Sequence, residues 1–217
     1  MMRMAALYPV YLKLAGQECL VVGGGAVARR KIGGLLGCGA AVTVVSPGLM
    51  PELKRAANQG DFCYNERGFE DSDLQGKSLV IAATDDPGLN ARIAQICRQQ
   101  GIPVNAVDNP GLSTFFVPSV IRRGPLCISI SSGGGSPMLA RRIREDLEGQ
   151  FGPAFEEIAA LLGEMRRCIQ ERLPDGDERR QCWDAIVTPE LLALLKADKT
   201  EIARKQVETA CTSLLSE

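Results

Sequence analysis

The sequence predicts an α/β fold, in which a parallel sheet carries helices on both faces and is followed by a small α+β region and a helical C-terminal region. Three observations predict it. Strand-like and helix-like segments alternate through the first half of the 217 residues. The strand-like segments are almost continuously apolar, as expected for parallel strands that are buried on both faces. Beyond Pro153 the apolar residues follow helical spacing alone.

The first half contains five strand-like segments. In chain order they are ECLVVG (18–23), AVTVVS (41–46), the weaker FCYNERG (62–68), SLVIAAT (78–84) and IPVNAVD (102–108). Helical segments at residues 26–36, 50–60 and 87–101 lie between them. The last of these begins with Pro87 and ends at Gly101, residues that commonly start and stop helices.

The second half changes from alternation to a hairpin and helices. It begins with two strand-like segments, TFFVPSVIRRG (114–124) and PLCISISS (125–132). A helix follows from Ser136 or Pro137, and a longer one follows Pro153. The longer helix has an apolar stripe that predicts a core or dimer face, formed by Phe155, Ile158, Leu162, Met165 and Ile169. Residues 174–180, PDGDERR, are predicted to form a solvated turn that precedes two short helices.

The composition indicates a soluble globular protein without a general affinity for nucleic acid or membranes. Hydrophobic residues make up 45% of the chain, charged residues make up 24%, and the net charge is −1. No apolar run approaches the roughly 20 residues that span a bilayer. The N-terminus is too weakly hydrophobic for a signal peptide, so a cytoplasmic location is expected.

Cysteine and histidine usage limits the chemistry. The eight cysteines are scattered without a C-x-x-C pair, which predicts reduced, buried thiols rather than disulfides or a metal cluster. Histidine is absent, which excludes Ser-His-Asp, Cys-His and His-ligated zinc mechanisms. Acid–base chemistry near neutral pH then falls to carboxylates, Lys, Tyr or Cys. No spacing of Asp, Glu or Cys predicts a metal site.

A glycine turn after the first strand predicts a dinucleotide site of the Rossmann type. Gly23, Gly25 and Ala28 have the spacing G-x-G-x-x-A, which gives a tight turn, a close approach of the backbone to a pyrophosphate, and close helix–strand packing. The alternative is a tight turn without a ligand. Ser46 and Thr84, at the ends of neighbouring strands, are also predicted to contact the cofactor, because ligands bind beyond the carboxyl ends of parallel strands. Ser46 stands where an acid usually holds the ribose, and no Arg stands there to favour a 2′-phosphate, so NAD is preferred over NADP.

A second glycine cluster predicts an anion site. It lies in SISSGGGSPMLARR (129–142), directly before the helix that begins at Ser136. Glycines before a helix N-terminus form a backbone concavity suited to anions, and Arg141 and Arg142 lie about one turn into that helix. Carboxylates or phosphates would fit such a pocket. The alternative is a flexible connector between hairpin and helix.

Asp108 is the candidate for acid–base catalysis. It lies in NAVDNP, at the tip of the fifth predicted strand. The alternative is an Asx-turn before Pro110, which is common for Asp and Asn in that position. Asp86 has a stronger structural explanation, because an Asp directly before Pro87 is a natural helix N-cap.

Five stretches taken together resemble the siroheme synthase family, specifically its precorrin-2 dehydrogenase / sirohydrochlorin ferrochelatase module. They are YPVYLKLAGQECLVVGGGAVARRK, VTVVSP, AATDDPGLN, VNAVDNP and STFFVPSVIRRGPLCISISSGGGSPMLARRIRE. The resemblance covers about residues 8–147, and the later helices match only in being helical. No methyltransferase domain follows, so the stand-alone form is expected.

The resemblance implies an activity and a division of the chain. The activity is NAD-dependent oxidation of precorrin-2 to sirohydrochlorin, and many members also insert ferrous iron as a substrate to give siroheme. The implied regions are a Rossmann domain that binds NAD (1–112), a dimerisation and tetrapyrrole-binding region (113–148) and a C-terminal helical domain (149–217). A homodimer is implied, with 113–148 forming an interlocked interface.

The resemblance also implies roles for single residues. Asp108 falls on the aspartate that the family is thought to use in catalysis, and Ser132 falls on a serine associated with the tetrapyrrole. Four positions fall on contacts to the dinucleotide, namely Ala26, Val27, Pro47 and Gly48. Precorrin-2 carries many carboxylates, which would give Gly133, Gly134 and Arg141 the role of binding substrate.

Two alternatives of different classes stay open. Another small NAD-dependent dehydrogenase would have no need of the second glycine turn. A regulatory module that senses NAD would bind the dinucleotide without turnover, and Asp108 would have no catalytic role in it.

Overall fold

The computed structural model describes residues 6–107, 109–173 and 175–215. The chain folds as two compact units, which divide between Phe116 and Val117. Among the described residues, no helix is both long enough and apolar enough to cross a lipid bilayer.

The first unit is built on a five-stranded parallel sheet, which confirms the predicted α/β fold. Its strands β1 to β5 are Glu18–Val22, Ala41–Val45, Cys63–Asn65, Leu79–Ala82 and Val104–Ala106. Their order across the sheet is β3-β2-β1-β4-β5, and each neighbouring pair is parallel. The strand order reverses between β1 and β4, and ligands of such sheets bind beyond the carboxyl ends of the strands at this reversal.

Helices cover both faces of this sheet because alternate strand residues face opposite ways. Among the described residues of this unit the α-helices are α1 (Ala26–Leu36), α2 (Pro51–Gln59) and α3 (Pro87–Gln99), and a short 3₁₀ helix covers Asp71–Leu74. Val21 of β1 packs in one buried core with Ile32 of α1 and Leu53 of α2. Its neighbour Leu20 packs in a second core with Ile93 of α3.

In its described residues, the second unit combines a hairpin with five helices. Its strands β6 (Ser119–Arg123) and β7 (Leu126–Ile130) are antiparallel. The helices are α4 (Pro137–Glu148), α5 (Ala154–Arg172), α6 (Gly176–Ile186), α7 (Pro189–Lys196) and α8 (Thr200–Leu215). The apolar stripe of α5 forms part of a third core, in which Ile158 and Ile169 are fully buried.

The strand predicted at 114–124 is shorter in the structure and begins at Ser119. Its first residues are used elsewhere, since the backbone N–H of Thr114 donates to the carbonyl oxygen of Val104 at 2.8 Å. The Thr114 hydroxyl in turn accepts from the Val104 N–H at 2.8 Å. The start of the predicted strand is therefore hydrogen-bonded to β5, and the hairpin begins only at Ser119.

The prediction of a solvated turn at 174–180 is wrong for most of that stretch. Asp175 is the N-cap of α6, and its carboxylate accepts from the backbone N–H groups of Asp177 at 2.7 Å and Glu178 at 3.1 Å. These bonds hold the pKa of Asp175 below its ordinary value. Three helices rather than two therefore follow α5, because one capping carboxylate lets a charged segment begin a helix.

Candidate functional site

The first glycine of the β1–α1 turn has a conformation and a neighbour that require glycine. Gly23 has φ +124°, and a Cβ built on it would lie 2.2 Å from the carbonyl oxygen of Ala83. Its N–H donates to the carbonyl oxygen of Val45 at 3.0 Å. The turn therefore leaves β1 in close contact with β4, as the G-x-G-x-x-A spacing predicts.

Gly24, which the G-x-G-x-x-A spacing does not include, has an equally strict requirement. A Cβ built on Gly24 would lie 2.0 Å from the carbonyl oxygen of Gly48 and 2.9 Å from Oγ of Ser46. The carbonyl oxygen of Gly24 accepts from the N–H of Met50 at 2.9 Å. The turns that follow β1 and β2 are thus packed backbone to backbone. The run of three glycines and the Pro-Gly after β2 were the signals for this contact.

The N-terminus of α1 is open. Gly25 is its N-cap, and no side chain caps the helix, whose first turn also contains no acidic residue. A Cβ built on Gly25 meets no described atom within 4 Å. Ala26 and Val27 are exposed beside it, whereas Ala28 is fully buried. Unsatisfied N–H groups at a helix N-terminus next to a backbone that can be closely approached fit a dinucleotide pyrophosphate.

The turn after β2 has a buried serine and an exposed tip. The hydroxyl of Ser46 donates to the carbonyl oxygen of Gly48 at 2.7 Å, and Ser46 is only 7% exposed. Pro47 and Gly48 are exposed. The Ser46 side chain therefore shapes this turn, and its role as a ribose contact stays a prediction.

The turn after β4 is held by a residue that the sequence did not single out. The hydroxyl of Thr84 donates to Oδ1 of Asn90 at 2.8 Å, and Nδ2 of Asn90 donates to the carbonyl oxygen of Thr84 at 2.9 Å. Asn90 is 6% exposed. The predicted N-cap is confirmed, since the carboxylate of Asp86 accepts from the N–H groups of Gly88 and Leu89 at 2.8 and 3.1 Å.

Asp108, the predicted catalytic acid or base, lies outside the described residues. The chain on both sides of it is described and is tightly fixed. Val107 donates its N–H to the carbonyl oxygen of Ala82 at 2.9 Å. The hydroxyl of Ser113 accepts from the Ala106 N–H at 3.0 Å and donates to the Ala106 carbonyl oxygen at 3.1 Å. The two residues that flank the stretch 107–112, Ala106 and Ser113, are therefore hydrogen-bonded to each other.

A lysine from α1 reaches the middle residue of β5. Nζ of Lys31 donates to Oδ1 of Asn105 at 3.2 Å, and Asn105 is 8% exposed. Burial, with a smaller contribution from Arg30, lowers the pKa of Lys31. Lys31 follows Ala28 by three residues, which places it on the buried face of α1. That spacing was the signal in the sequence, but a lysine is ordinarily expected to be solvated.

The second glycine turn, in the second unit, is a compact structure directly before α4. Gly133 and Gly134 have φ +64° and +84°. The hydroxyl of Ser132 accepts from the N–H of Ser136 at 2.9 Å, and Ser136 caps α4 by accepting from the N–H of Leu139 at 3.3 Å. The predicted helix start at Ser136 and Pro137 is confirmed. The turn thus leads directly into the N-cap of α4, and its role as an anion site stays a prediction.

Arg141 is paired on its own helix. Its Nε donates to Oε1 of Glu145 at 2.8 Å, although its side chain is 66% exposed. The hydrogen bond from Arg141 holds the pKa of Glu145 below its ordinary value. A ligand carboxylate at Arg141 would therefore compete with Glu145.

Cysteine thiols and acidic side chains are the remaining groups that could bind a metal ion. All eight cysteines are free thiols, and Cys19, Cys97, Cys182 and Cys211 are buried. Burial raises the pKa of Cys97 to about 11. Within the described ranges, no group of three or more Cys, Asp or Glu side chains is placed to hold a metal ion.

Three family models match successive parts of the chain. The model described as putative NAD(P)-binding covers residues 10–119. The sirohaem biosynthesis protein central model covers residues 123–150, and the sirohaem synthase dimerisation region covers residues 154–210. The chain therefore contains a domain for a nicotinamide dinucleotide and the dimerisation region of this family. The interlocked interface predicted within 113–148 stays a prediction.

Known relatives and a solved structure agree with these models. The siroheme synthase of Thioalkalivibrio sulfidiphilus is 41% identical over 203 residues, which are 94% of this chain and 42% of that protein. The siroheme synthase of Nitrosospira multiformis is 39% identical over 204 residues, 92% of this chain and 43% of that protein. This chain thus spans less than half the length of these relatives. The structure of SirC, a precorrin-2 dehydrogenase, is 27% identical with a TM-score of 0.72, over 94% of this chain and 100% of that one. This chain belongs to the siroheme synthase family.

Proposed function

We propose that this chain is an NAD-dependent dehydrogenase that oxidises precorrin-2 to sirohydrochlorin in siroheme biosynthesis. The likeness to SirC carries the proposal, because it extends over 94% of this chain and the whole of that precorrin-2 dehydrogenase. The glycine-rich turn before α1 and the capped turn before α4 support it, since the reaction needs one site for a dinucleotide and one for a substrate rich in carboxylates.

The β1–α1 turn is the proposed dinucleotide site. Gly23 and Gly24 allow the backbone contacts that form the turn, and the open N–H groups beyond Gly25 bind the pyrophosphate. Ala26, Val27, Pro47, Gly48 and Thr84 are proposed to contact the cofactor. When bound, the nicotinamide accepts a hydride from the substrate.

NAD is proposed over NADP. The turn after β2 reads Ser46-Pro47-Gly48 and supplies no cation for a 2′-phosphate. The Ser46 hydroxyl is turned inward onto Gly48, so ribose selection would rest on the shape of this turn rather than on a charged side chain.

Asp108 is proposed as the base that accepts the proton leaving the macrocycle. Loss of a hydride and a proton oxidises the substrate by two electrons, and a carboxylate is a suitable proton acceptor in a chain without histidine. Ser132, Gly133, Gly134 and Arg141 are proposed to bind the substrate carboxylates. Gly133 and Gly134 have positive φ, the backbone conformation of turns that bind anions, and a bound carboxylate would compete with the Ser131 hydroxyl for the N–H of Gly133, which donates to it at 3.2 Å.

The proposal includes a cytoplasmic homodimer. The match to the family's dimerisation region over residues 154–210 supports the dimer, and the eight free thiols fit a reducing compartment. Insertion of ferrous iron, the second activity that the resemblance implies, stays a prediction.

The test is an anaerobic assay with precorrin-2 and either NAD or NADP, followed by the absorbance of sirohydrochlorin. We expect turnover with NAD and a lower kcat/KM with NADP. Binding of NAD without turnover would favour a regulatory module, and oxidation of other substrates alone would favour another dehydrogenase. Adding ferrous ion to preformed sirohydrochlorin, with and without the protein, tests metal insertion separately.

A further inference from the structure

We propose that Lys31 is a positioning residue for this oxidation, which acts through Asn105 on the stretch 107–112 that contains Asp108. The proposal rests on the proposed function for its catalytic consequence only. Its structural part rests on the hydrogen bonds around Asn105, all of which lie in the first unit.

Asn105 links α1 to the chain that returns from the loop. Its Oδ1 accepts from Nζ of Lys31 at 3.2 Å. Its Nδ2 donates to the carbonyl oxygen of Phe115 at 3.1 Å and lies 3.4 Å from Oγ of Ser113. The Asn105 amide is therefore hydrogen-bonded to residues that follow the stretch 107–112, and the Lys31 ammonium group is hydrogen-bonded to the amide oxygen.

Lys31 determines which way the Asn105 amide faces. An ammonium group is only a donor, whereas an amide presents an acceptor on one side and donors on the other. With Lys31 present, Oδ1 must face the lysine and Nδ2 must face Phe115. If the amide turned over, its oxygen would meet the carbonyl oxygen of Phe115, and two acceptors would be left without a proton between them.

The contact also connects the loop to the helix that begins at the proposed dinucleotide site. Lys31 lies in the second turn of α1, whose open N-terminus follows Gly25. The partner of the half-buried Lys31 ammonium group within the described residues is the amide oxygen of Asn105.

Three variants separate the positioning role from a general loss of stability. Lys31→Met keeps the apolar stem and removes the donor, and Lys31→Arg keeps a donor. Asn105→Asp keeps an acceptor for Lys31 but removes the donor to Phe115. Lys13→Met, in the exposed segment before β1, is the matched control.

The first measurement is amide hydrogen exchange by mass spectrometry on the full chain without any ligand. For Lys31→Met and Asn105→Asp we expect exchange at residues 104–115 to rise roughly tenfold, with exchange in β1 and β2 unchanged. Lys31→Arg and Lys13→Met should match the original chain. A uniform rise over the whole sheet, or no rise at 104–115, would overturn the proposal.

The second measurement is steady-state kinetics with precorrin-2 and NAD. Misplacing a catalytic group by a fraction of an ångström to an ångström costs roughly ten- to a hundredfold in rate, so kcat should fall by that factor in Lys31→Met with little change in KM for NAD. Lys31→Arg should recover most of kcat. Equal losses in Lys31→Met and Lys31→Arg would contradict the positioning role. If the original chain shows no turnover, the proposed function fails, while the exchange data still decide the structural inference.

Discussion

Gly24 and Gly48 lie so close together that a Cβ built on Gly24 would be 2.0 Å from the carbonyl oxygen of Gly48. The backbone of Gly24 is fixed further by a hydrogen bond, in which its carbonyl oxygen accepts from the N–H of Met50. The contact joins the two turns that are proposed to bind the dinucleotide, so the geometry of the site depends on the absence of one methyl group.

Gly24→Ala and Gly25→Ala should therefore have opposite signatures. Gly24→Ala should destabilise the fold by about 1–3 kcal/mol, as overpacking does, since its Cβ would overlap backbone. Gly25→Ala should cost less stability than Gly24→Ala, namely the change of N-cap residue alone, and should weaken NAD binding roughly tenfold or more, because its Cβ would enter the space proposed for the pyrophosphate. Urea unfolding and calorimetric titration with NAD measure the two effects. Equal stability of the Gly24→Ala and Gly25→Ala chains would contradict the packing described here.

Asp108→Asn should remove most turnover and leave the dinucleotide site intact. Loss of a general base commonly costs about 10²–10⁴ in rate, so kcat should fall within that range while the Kd for NAD changes little. Asp61→Asn, at an exposed carboxylate after α2, is the control and should behave like the original chain. Full turnover in the Asp108→Asn chain would exclude this residue as the base.

Removing Glu145 should help the substrate to bind. Glu145 pairs with Arg141 at 2.8 Å, so Glu145→Gln should lower KM for precorrin-2 by up to about fivefold, the range for an exposed ion pair. Arg141→Gln should raise KM. Steady-state kinetics at low and high salt tests both, since the difference should shrink as salt screens the charges. An unchanged KM in both variants would remove Arg141 from the substrate site.

Acid should weaken the first unit partly through Asp73. The hydrogen bond from Arg67 holds the pKa of Asp73 below its ordinary value. A carboxyl group with a lowered folded-state pKa contributes its full stabilisation above the unfolded-state pKa and loses it as the pH falls through the folded-state value. Asp73→Asn should therefore reduce stability at neutral pH and flatten the loss of stability that sets in below about pH 4, the ordinary pKa of an Asp side chain.

Urea unfolding at several pH values provides the test. Asp71→Asn is the control, because the Asp71 ion pair with Arg92 is exposed on both sides and should contribute little. A pH dependence that is the same in Asp73→Asn and in the original chain would show that the Arg67 contact does not stabilise the fold.

The sheet could be predicted from the sequence because its determinants are local. Apolar runs, glycine stops and the Pro87 helix start identify β1 to β5 and α1 to α3 within a few residues. The 114–124 strand was predicted too long because the bonds of Thr114 to Val104 connect residues ten apart, which no periodicity reveals. The helix α6 was missed because PDGDERR is polar throughout, and only the capping bonds of Asp175 make it a helix start.

The candidate site divides in the same way. Gly23 and Gly25 follow from a spacing rule, since a turn between strand and helix has few solutions. Gly24, Asn90 and Lys31 do not, because their roles depend on which parts of a folded sheet lie next to each other. Each contacts a residue at least six positions away, and the Lys31 contact spans 74 positions.

The hydroxyls of Ser113 and Thr114 bond to the outward backbone groups of Ala106 and Val104, on the last strand of the sheet. A foreign strand that approached here would find these donors and acceptors already satisfied. Two small side chains thus protect this edge strand against edge-to-edge aggregation. Other proteins use lysines, prolines or bulges for the same purpose. Self-association through a continuous intermolecular ladder is blocked along β5 at these two positions.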